Sequence, residues 1–489
     1  MRLDAIIGSD ARLEAAHAAL DVKGLTADSR AVAPGYLFAA LKGVKADGAA
    51  FIPKAIGQGA IAVLTDEATA VDAGPLPVIR VANPRAALAR AAARFYGAQP
   101  ATVAAVTGTN GKTSVAAFTR QIWTALGHGA ASIGTVGIVS PKGQRKLQHT
   151  TPDPVELQAV MAELAHDGVS HAAIEASSHG LAQHRLDGLQ VSAGAFTNIS
   201  RDHLDYHPDF EDYFSAKLRL FGEVLPAGAA AVINADFAEA ERVIRTARRR
   251  GLDVITVGHR GERIRLIEQQ RNATGQLLRI AVDGERFDVD LPLVGDFQAS
   301  NALVALALAI ATGAPVAQAV AALSGLKGAS GRLERVTSFN GAQVFVDFAH
   351  TPDALENAIT ALRPYASGRV IVVFGAGGDR DPGKRPQMGA AVARLADVAI
   401  VTDDNPRSED PAAIRAQVLA GCPGGIDGGD RAHAIRLGLS MLAPGDILVV
   451  AGKGHETGQE IAGRILPFSD QEEIRAAARI HDRSETANG

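Results

Sequence analysis

The chain has 489 residues, 47% of them hydrophobic and 21% charged, with a formal net charge of -4. That length suits about three domains, each able to bury its own core, and the small net charge provides no global field toward nucleic acid or a membrane surface. A single cysteine, Cys422, excludes an internal disulfide and fits a reducing cytoplasm.

Charges at Arg2, Asp4, Asp10 and Arg12 break any signal-peptide apolar core at the start. Short strands are expected at 36–41, 60–65 and 78–81, then an alanine-rich helix at 85–96 and a Gly-Ala-Gln-Pro break at 97–100. The apolar run 102–106 reads as a strand. It leads through Thr107-Gly108-Thr109-Asn110-Gly111-Lys112-Thr113 into a helix from about 113 to 126. Glycines in such a turn let backbone N–H groups face phosphate oxygens, and the helix N-terminus adds positive potential. Lys112 would neutralise the β and γ phosphates, and the Thr113 hydroxyl would meet Mg²⁺. The expectation is an ATP site with magnesium.

Further strands are expected at 172–175, 193–198, 230–234 and 254–257, alternating with helices as in a parallel α/β sheet. Glu175 ends one of them, where a carboxylate suits a cation beside phosphates, although by itself such a residue is more often an ordinary loop acid. The segment from Thr197 to Asp205 is a dense polar cluster after an apolar strand. By residue type alone Lys217 is an ordinary helix lysine. Arg245 and Arg248 to Arg250 read as the solvated end of a helix. No aromatic residues are interleaved with them for stacking on bases. The uncharged stretch 302–323 is interrupted by Thr312-Gly313-Ala314-Pro315, so it reads as two packed helices and not as a membrane span.

From Gly331 onward the alternation repeats. Strands are expected at 343–347, 369–374, 398–402 and 447–450, and helices after Pro352, at 384–395, from Pro411 and at 471–480. This is a second doubly wound sheet. The fold class is therefore α/β with three domains. A small α/β domain occupies 1–98, a central P-loop parallel-sheet ATPase domain 99–330, and a Rossmann-like doubly wound domain 331–489. Asp404-Asn405-Pro406-Arg407 is either a proline-containing strand exit or a recognition motif, since an arginine fork binds a carboxylate bidentately.

Together these segments resemble the Mur ligase family along nearly the whole chain. The resemblance is carried by Asp28-Ser29-Arg30, the phosphate loop, Thr150-Thr151-Pro152-Asp153, Glu175-Ala176-Ser177-Ser178, Asn198 with Asp202-His203, Lys217 and Asn301. It continues through Gly331-Arg332-Leu333-Glu334, Asp347-Phe348-Ala349-His350-Thr351-Pro352, Asp404 to Arg407 and Gly452-Lys453-Gly454-His455-Glu456. Val106, in place of the usual first glycine of a phosphate loop, is the family's own form.

The resemblance implies an ATP-dependent ligase of peptidoglycan synthesis that joins meso-2,6-diaminopimelate to UDP-N-acetylmuramoyl-L-alanyl-D-glutamate through an acyl phosphate. Its sister activity adds L-lysine. Gly108 to Ser114 with Asn301, Arg332 and Asp347 would hold ATP; the last three would meet adenine, phosphate and ribose. Thr113, Glu175, His203 and a carbamylated Lys217 would surround magnesium, and Lys112, Glu175, His203 and Lys217 would form the catalytic set. Ser29, with Val44 to Ala46 nearby, would hold the uridine end of the nucleotide. His149, Thr150, Thr151, Ser177, Gln183 and Arg185 would hold the muramoyl-dipeptide. Arg380, Asp404 to Arg407, Gly452 and Glu456 would hold diaminopimelate. A cytoplasmic monomer with no nucleic-acid or membrane partner is expected.

Overall fold

The computed structural model describes residues 1–43, 46–71, 73–200, 206–272 and 274–487. Two compact units divide the chain: Met1–Leu266 with Ala281–Arg286 and Ser300–Ala322, and Ile267–Ile280 with Phe287–Ala299 and Leu323–Gly489.

The first unit begins with a four-stranded all-parallel sheet, Gly24–Thr26, Tyr36–Ala39, Ala60–Asp66 and Val78–Val81 in that order. The helix Pro84–Tyr96 follows it. Proline at the first turn needs no donor, and the Asn83 side chain caps by accepting from the Ala86 N–H at 3.1 Å. Ala87, Leu88 and Ala91 of this helix pack on Leu37, Leu64 and Ile79.

A larger sheet of the same unit runs Gly143–Arg145, Gly137–Ser140, Ala130–Gly134, His171–Glu175, Thr102–Thr107, Ala193–Phe196, Ala230–Asn234, Asp253–Gly258. From Ala130–Gly134 to Asp253–Gly258 neighbouring strands are parallel. They are almost wholly apolar because a parallel sheet is covered on both faces. Chain order reverses around Thr102–Thr107: the four strands that follow it in the chain lie on one side, and Ala193–Phe196, Ala230–Asn234 and Asp253–Gly258 on the other. Ligands of such sheets bind at the carboxyl ends beside that switch point. Register sets Val106 against Glu175 and Thr107 against Phe196, so three strand ends open on the same place. The helices Pro154–His166, Phe210–Arg219 and Ala240–Arg249 bury Leu157, Phe214 and Val243 against one face. The basic run ends the last of these helices, as its sequence suggested.

In the second unit six strands are ordered Glu334–Phe339, Ala342–Asp347, Ile447–Ala451, Val370–Phe374, Val398–Val401, Ile426–Asp427. Only the first is antiparallel to its neighbour. The helices Pro352–Leu362, Lys384–Leu395 and Pro411–Leu419 pack on one face through Leu355, Val392 and Ile414. On the other face Ile435 and Ile474 come from Arg431–Ser440 and Asp470–Ala487. The sheet is doubly wound. Among the described residues no helix is long and apolar enough to cross a membrane, and the stretch 302–323 is two helices, Phe297–Ala311 and Val316–Ala322, with a 3-10 turn from Leu323.

One ion pair lies wholly inside the second unit. Arg431 donates from Nε and Nη2 to Asp470 at 2.7 and 2.8 Å, and both side chains are 0% exposed. Breaking such a pair leaves a bare charge in low dielectric, so Arg431→Met should lower unfolding free energy by about 3–5 kcal/mol. Replacing both partners by apolar residues should recover much of that loss. Chemical denaturation of the two variants checks it; equal losses would mean that packing, not charge, dominates.

Candidate active site

The phosphate loop is built on two glycines with left-handed backbone. Gly108 has φ +143°, and a Cβ there would meet Thr197 Oγ1 at 2.0 Å; Gly111 has φ +86°, and its Cβ would meet Asn301 Oδ1 at 2.3 Å. Asn301, 5% exposed, thus packs directly on the loop. The neighbouring strand end fastens it further. Asn198 accepts from the Asn110 N–H at 3.0 Å and donates to the Asn110 carbonyl at 3.2 Å. Thr197 Oγ1 donates to that carbonyl at 2.6 Å, and Thr109 N donates to the Asn198 carbonyl at 2.9 Å. The helix Lys112–Ala125 starts from this turn, with Thr113 half-buried and Ser114 buried in its first turn.

Lys112 folds back over the loop and donates to the carbonyls of Gly108 at 2.9 Å and Thr109 at 2.7 Å. Lys217 reaches the same Gly108 carbonyl from a different helix, at 2.8 Å, although it is only 1% exposed. Its ammonium stands 4.5 Å from the ring centre of Tyr213, and the Tyr213 hydroxyl lies 3.0 Å from Thr109 Oγ1. The helix widens into a π-helical turn at Leu220–Val224 just beyond Lys217, a feature frequent at functional sites. Two cations therefore converge on one oxygen of the loop.

Glu175 is 2% exposed at its strand end. Its Oε1 accepts from Thr135 N at 2.7 Å and its Oε2 from Thr135 Oγ1 at 3.2 Å, and Thr135 Oγ1 lies 3.1 Å from Thr150 Oγ1. Thr151 donates to the Glu175 carbonyl at 2.7 Å and lies 3.0 Å from Ser177 Oγ. Arg185 donates to the Thr151 carbonyl at 2.5 Å and to Gln183 Oε1 at 2.9 Å. Thr150, Thr151, Ser177, Gln183 and Arg185 thus form one network with Glu175. His149 is exposed, and Ser29 is 9% exposed in the turn after Gly24–Thr26. Beside Ser29, hydrogen bonds from Arg30 hold the Asp28 carboxyl down to about 2.

His203, with Asp202, lies outside the described residues, as do Val44 and Lys45. Among the described residues no cluster of three or more His, Cys, Asp or Glu side chains could hold a metal. The oxygen donors present are the Thr113 hydroxyl and the Glu175 carboxylate.

In the second unit Asp347 accepts from Leu333 N at 2.7 Å and Ala349 N at 2.8 Å. Desolvation nonetheless pushes its carboxyl above the ordinary value, against the pull of Arg332 and the two N–H groups. Arg332 stacks 5.0 Å from the Phe348 ring centre. The loops carrying Arg380 and Arg407 are stitched together. Arg407 Nη1 donates to the Gly378 carbonyl at 2.6 Å, Gly378 N to the Asn405 carbonyl at 2.9 Å, and Ser408 Oγ to Asp379 Oδ1 at 2.6 Å. Buried Arg385 supports both loops through Glu409, which in turn accepts from Asp379 N at 2.6 Å. Arg407 itself takes a left-handed backbone, φ +54°, held by bonds to Glu460 and Ala462, with Glu460 Oε2 3.2 Å from its Nε. Arg380 is exposed.

Asp404 is 8% exposed beside Gly452, where a Cβ would meet its Oδ2 at 2.4 Å. Gln459 donates to its carbonyl at 2.6 Å. Pro406 follows Asn405, and Asn405 Nδ2 donates to Glu456 Oε2 at 3.0 Å.

Sequence reasoning passed over Thr135, Tyr213 and Lys453 as site residues. Tyr213 sits four residues before Lys217 and so shares its helix face, a usable signal. Lys453 stood inside a quoted motif. Nothing in the sequence marked Thr135, whose strand pair was not anticipated.

Three family descriptions match the chain in order: "Mur ligase family, catalytic domain" over residues 21–96, "Mur ligase middle domain" over 106–309 and "Mur ligase, glutamate ligase domain" over 331–454. A protein of Bradyrhizobium diazoefficiens, named UDP-N-acetylmuramoyl-L-alanyl-D-glutamate--2,6-diaminopimelate ligase, is 57% identical over 481 residues, covering 98% of this chain and 99% of its own. One of Mesorhizobium japonicum with the same name is 56% identical, covering 95% and 96%. A solved structure of a ligase with that name superposes with a TM-score of 0.75 at 32% identity, over 99% of both chains. MurF ligase of Thermotoga maritima, solved with ADP, shares the fold at 18% identity, with a TM-score of 0.60 over 95% of this chain and 99% of its own. On this identity and coverage, the chain belongs to the Mur ligase family.

Proposed function

We infer that this chain is an ATP-dependent ligase of peptidoglycan synthesis that joins meso-2,6-diaminopimelate to UDP-N-acetylmuramoyl-L-alanyl-D-glutamate, releasing ADP and phosphate. The observation that carries this reading is the meeting of Lys112 and Lys217 at the Gly108 carbonyl, at a sheet switch point and in a chain whose near relatives bear that ligase name. Residues 1–98 would bind the uridine end, 99–330 ATP and the dipeptide, and 331–489 the amine. The reaction belongs in the cytoplasm, where ATP and the nucleotide precursor are at hand.

A carboxylate is a poor electrophile, so the D-glutamyl side carboxylate takes the γ-phosphoryl group of ATP to become an acyl phosphate. The amine attacks its carbonyl carbon, and the tetrahedral intermediate expels phosphate. The protein's share is positioning and charge neutralisation. Lys112 exchanges its loop carbonyls for phosphate oxygens, while Gly111 and Thr113 offer N–H groups. Thr150, Thr151, Ser177 and Arg185 hold the dipeptide beside Glu175. Asn301, Arg332 and Asp347 take the nucleotide. The Thr113 hydroxyl and Glu175 carboxylate are hard oxygen donors, and each Glu175 oxygen retains a lone pair beyond its bond to Thr135; His203 belongs with them by resemblance. That donor set fits Mg²⁺, which when bound reduces repulsion between the phosphates and the attacking carboxylate.

Lys217 is the carbamylation site of this reading: its ammonium gives up one proton, and the free amine then adds CO₂ and loses a second, turning a buried cation into a carboxylate-like anion. Carbon-13 bicarbonate should give a carbamate resonance in the wild type that is missing in Lys217→Ala; the same resonance in both would remove the assignment. For the function itself, diaminopimelate and lysine are offered in parallel with ATP and the dipeptide nucleotide, and the product is weighed. A mass corresponding to diaminopimelate addition, with ADP formed only when the dipeptide nucleotide is present, is expected. Addition of lysine alone would assign the sister activity.

A further inference from the structure

We propose that Lys453 is a positioning residue for the amine substrate, locking Glu456 and Asn405 into a preformed acceptor for its amino-acid end. This rests on the reading of the amine site given above.

Lys453 is 0% exposed. An ammonium is rarely kept in such a place, because stripping its water is expensive unless its donors are satisfied. Its bonds run to Asn405 Oδ1 and to Glu456 Oε2, each at 3.0 Å. Asn405 Nδ2 also donates to Glu456 Oε2 at 3.0 Å, closing a triangle of three side chains. The backbone N–H of Glu460 donates to Asn405 Oδ1 at 3.0 Å, which fixes which end of the amide faces the lysine. Both bonds to the Glu456 carboxylate fall on Oε2, so Oε1 is the oxygen turned to other use.

The triangle has the character of a prepared acceptor. Lysine and glutamate cancel in charge, so a zwitterionic amino-acid end can bring its ammonium to Oε1 while its carboxylate meets an arginine fork. Burial alone would raise the Glu456 carboxyl, but Lys453 and the Asn405 amide outweigh it and hold it below its ordinary value. A carboxylate that stays ionised and keeps one rotamer loses little freedom on binding. Lys453 touches none of the reacting atoms; it acts through Glu456 and Asn405.

A purely structural lysine and a positioning lysine make different predictions. Methionine keeps the length of the side chain, and half-buried Glu456 can turn to water when the lysine charge is removed, so the charge left behind costs less than at the sealed Arg431–Asp470 pair. Lys453→Met should raise the KM for diaminopimelate about 100-fold, the usual scale for losing a buried charged hydrogen bond at a binding site. The KM values for ATP and the dipeptide nucleotide should stay within about twofold. In a Glu456→Gln background the same substitution should change the diaminopimelate KM by less than about threefold, because the carboxylate that the lysine and Asn405 together hold for the substrate is gone. Equal effects in both backgrounds, or a parallel rise in the KM for ATP, would overturn the proposal. Should Lys453→Met not fold, Lys453→Gln carries the same cycle with the same criterion. A wild-type enzyme that makes no product from diaminopimelate defeats the proposed function. A wild type that makes it, with KM unmoved in the lysine variants, defeats only the role of Lys453.

Discussion

Lys112→Ala is expected to abolish substrate-dependent ADP formation, lowering kcat by about 10³-fold or more, the scale on which one preorganised charge donor acts in a site closed to water. The ammonium lies across the mouth of its own loop, bonded to the Gly108 and Thr109 carbonyls at 2.9 and 2.7 Å. A phosphate offers it a stronger, charged acceptor within the same reach. Lys112→Arg should rescue little, since a planar guanidinium cannot fold over a turn this tight as a point charge can. Affinity for the uridine nucleotide should survive, because Ser29 lies in a turn beside a different sheet of the same unit. Coupled ADP assay and calorimetry with the nucleotide alone read the two halves. Turnover within tenfold of wild type would remove Lys112 from its role.

Arg407→Ala is expected to raise the KM for diaminopimelate by about 100-fold or more while leaving that for ATP within about twofold. Diaminopimelate differs from lysine by one carboxylate, and only a guanidinium presents two parallel N–H donors to it. The fold invests in holding this side chain. Its backbone is left-handed at φ +54°, an unfavourable state for any residue but glycine. Bonds to Glu460 and Ala462 on the backbone and to Gly378 on the side chain keep it there. With Nε beside Glu460 and Nη1 on Gly378, the terminal edge remains for a ligand carboxylate. Arg407→Lys should lose nearly as much as alanine. The preference for diaminopimelate over lysine should shrink in both variants, because rejection of lysine comes from leaving the terminal edge of this arginine without a carboxylate. Equal rises in the KM for ATP and for the amine would instead indicate a general collapse of the loop.

The three α/β regions were legible from local pattern. Apolar runs such as Val370–Phe374 and Ile447–Ala451 are buried on both faces and could scarcely be anything but parallel strands. The two-helix reading of 302–323 followed from a proline and a glycine. The strands Ile264–Arg271, Gln276–Val282 and Glu285–Leu291 escaped notice. Their residues largely alternate between buried and exposed, but apolar side chains at exposed positions, Ile267 and Leu277, mask the pattern. The Ala130–Gly134 and Gly137–Ser140 pair was missed too, and with it Thr135, the residue that holds both Glu175 oxygens.

By itself the sequence determined which chemistry was available. A glycine-bounded Lys-Thr at a strand-to-helix turn announces a phosphate site, because backbone conformation and charge are local properties. It could not say that Lys217, an unremarkable lysine on an amphipathic helix, is buried against the Gly108 carbonyl. Nor could it say that Lys453 is enclosed by Asn405 and Glu456, 48 and 3 residues away in the chain. Those facts depend on strand order and register, which bring distant residues to one point. Only tertiary packing decides which charges lose their water, and a charge without water acts on its neighbours far more strongly than one in solvent.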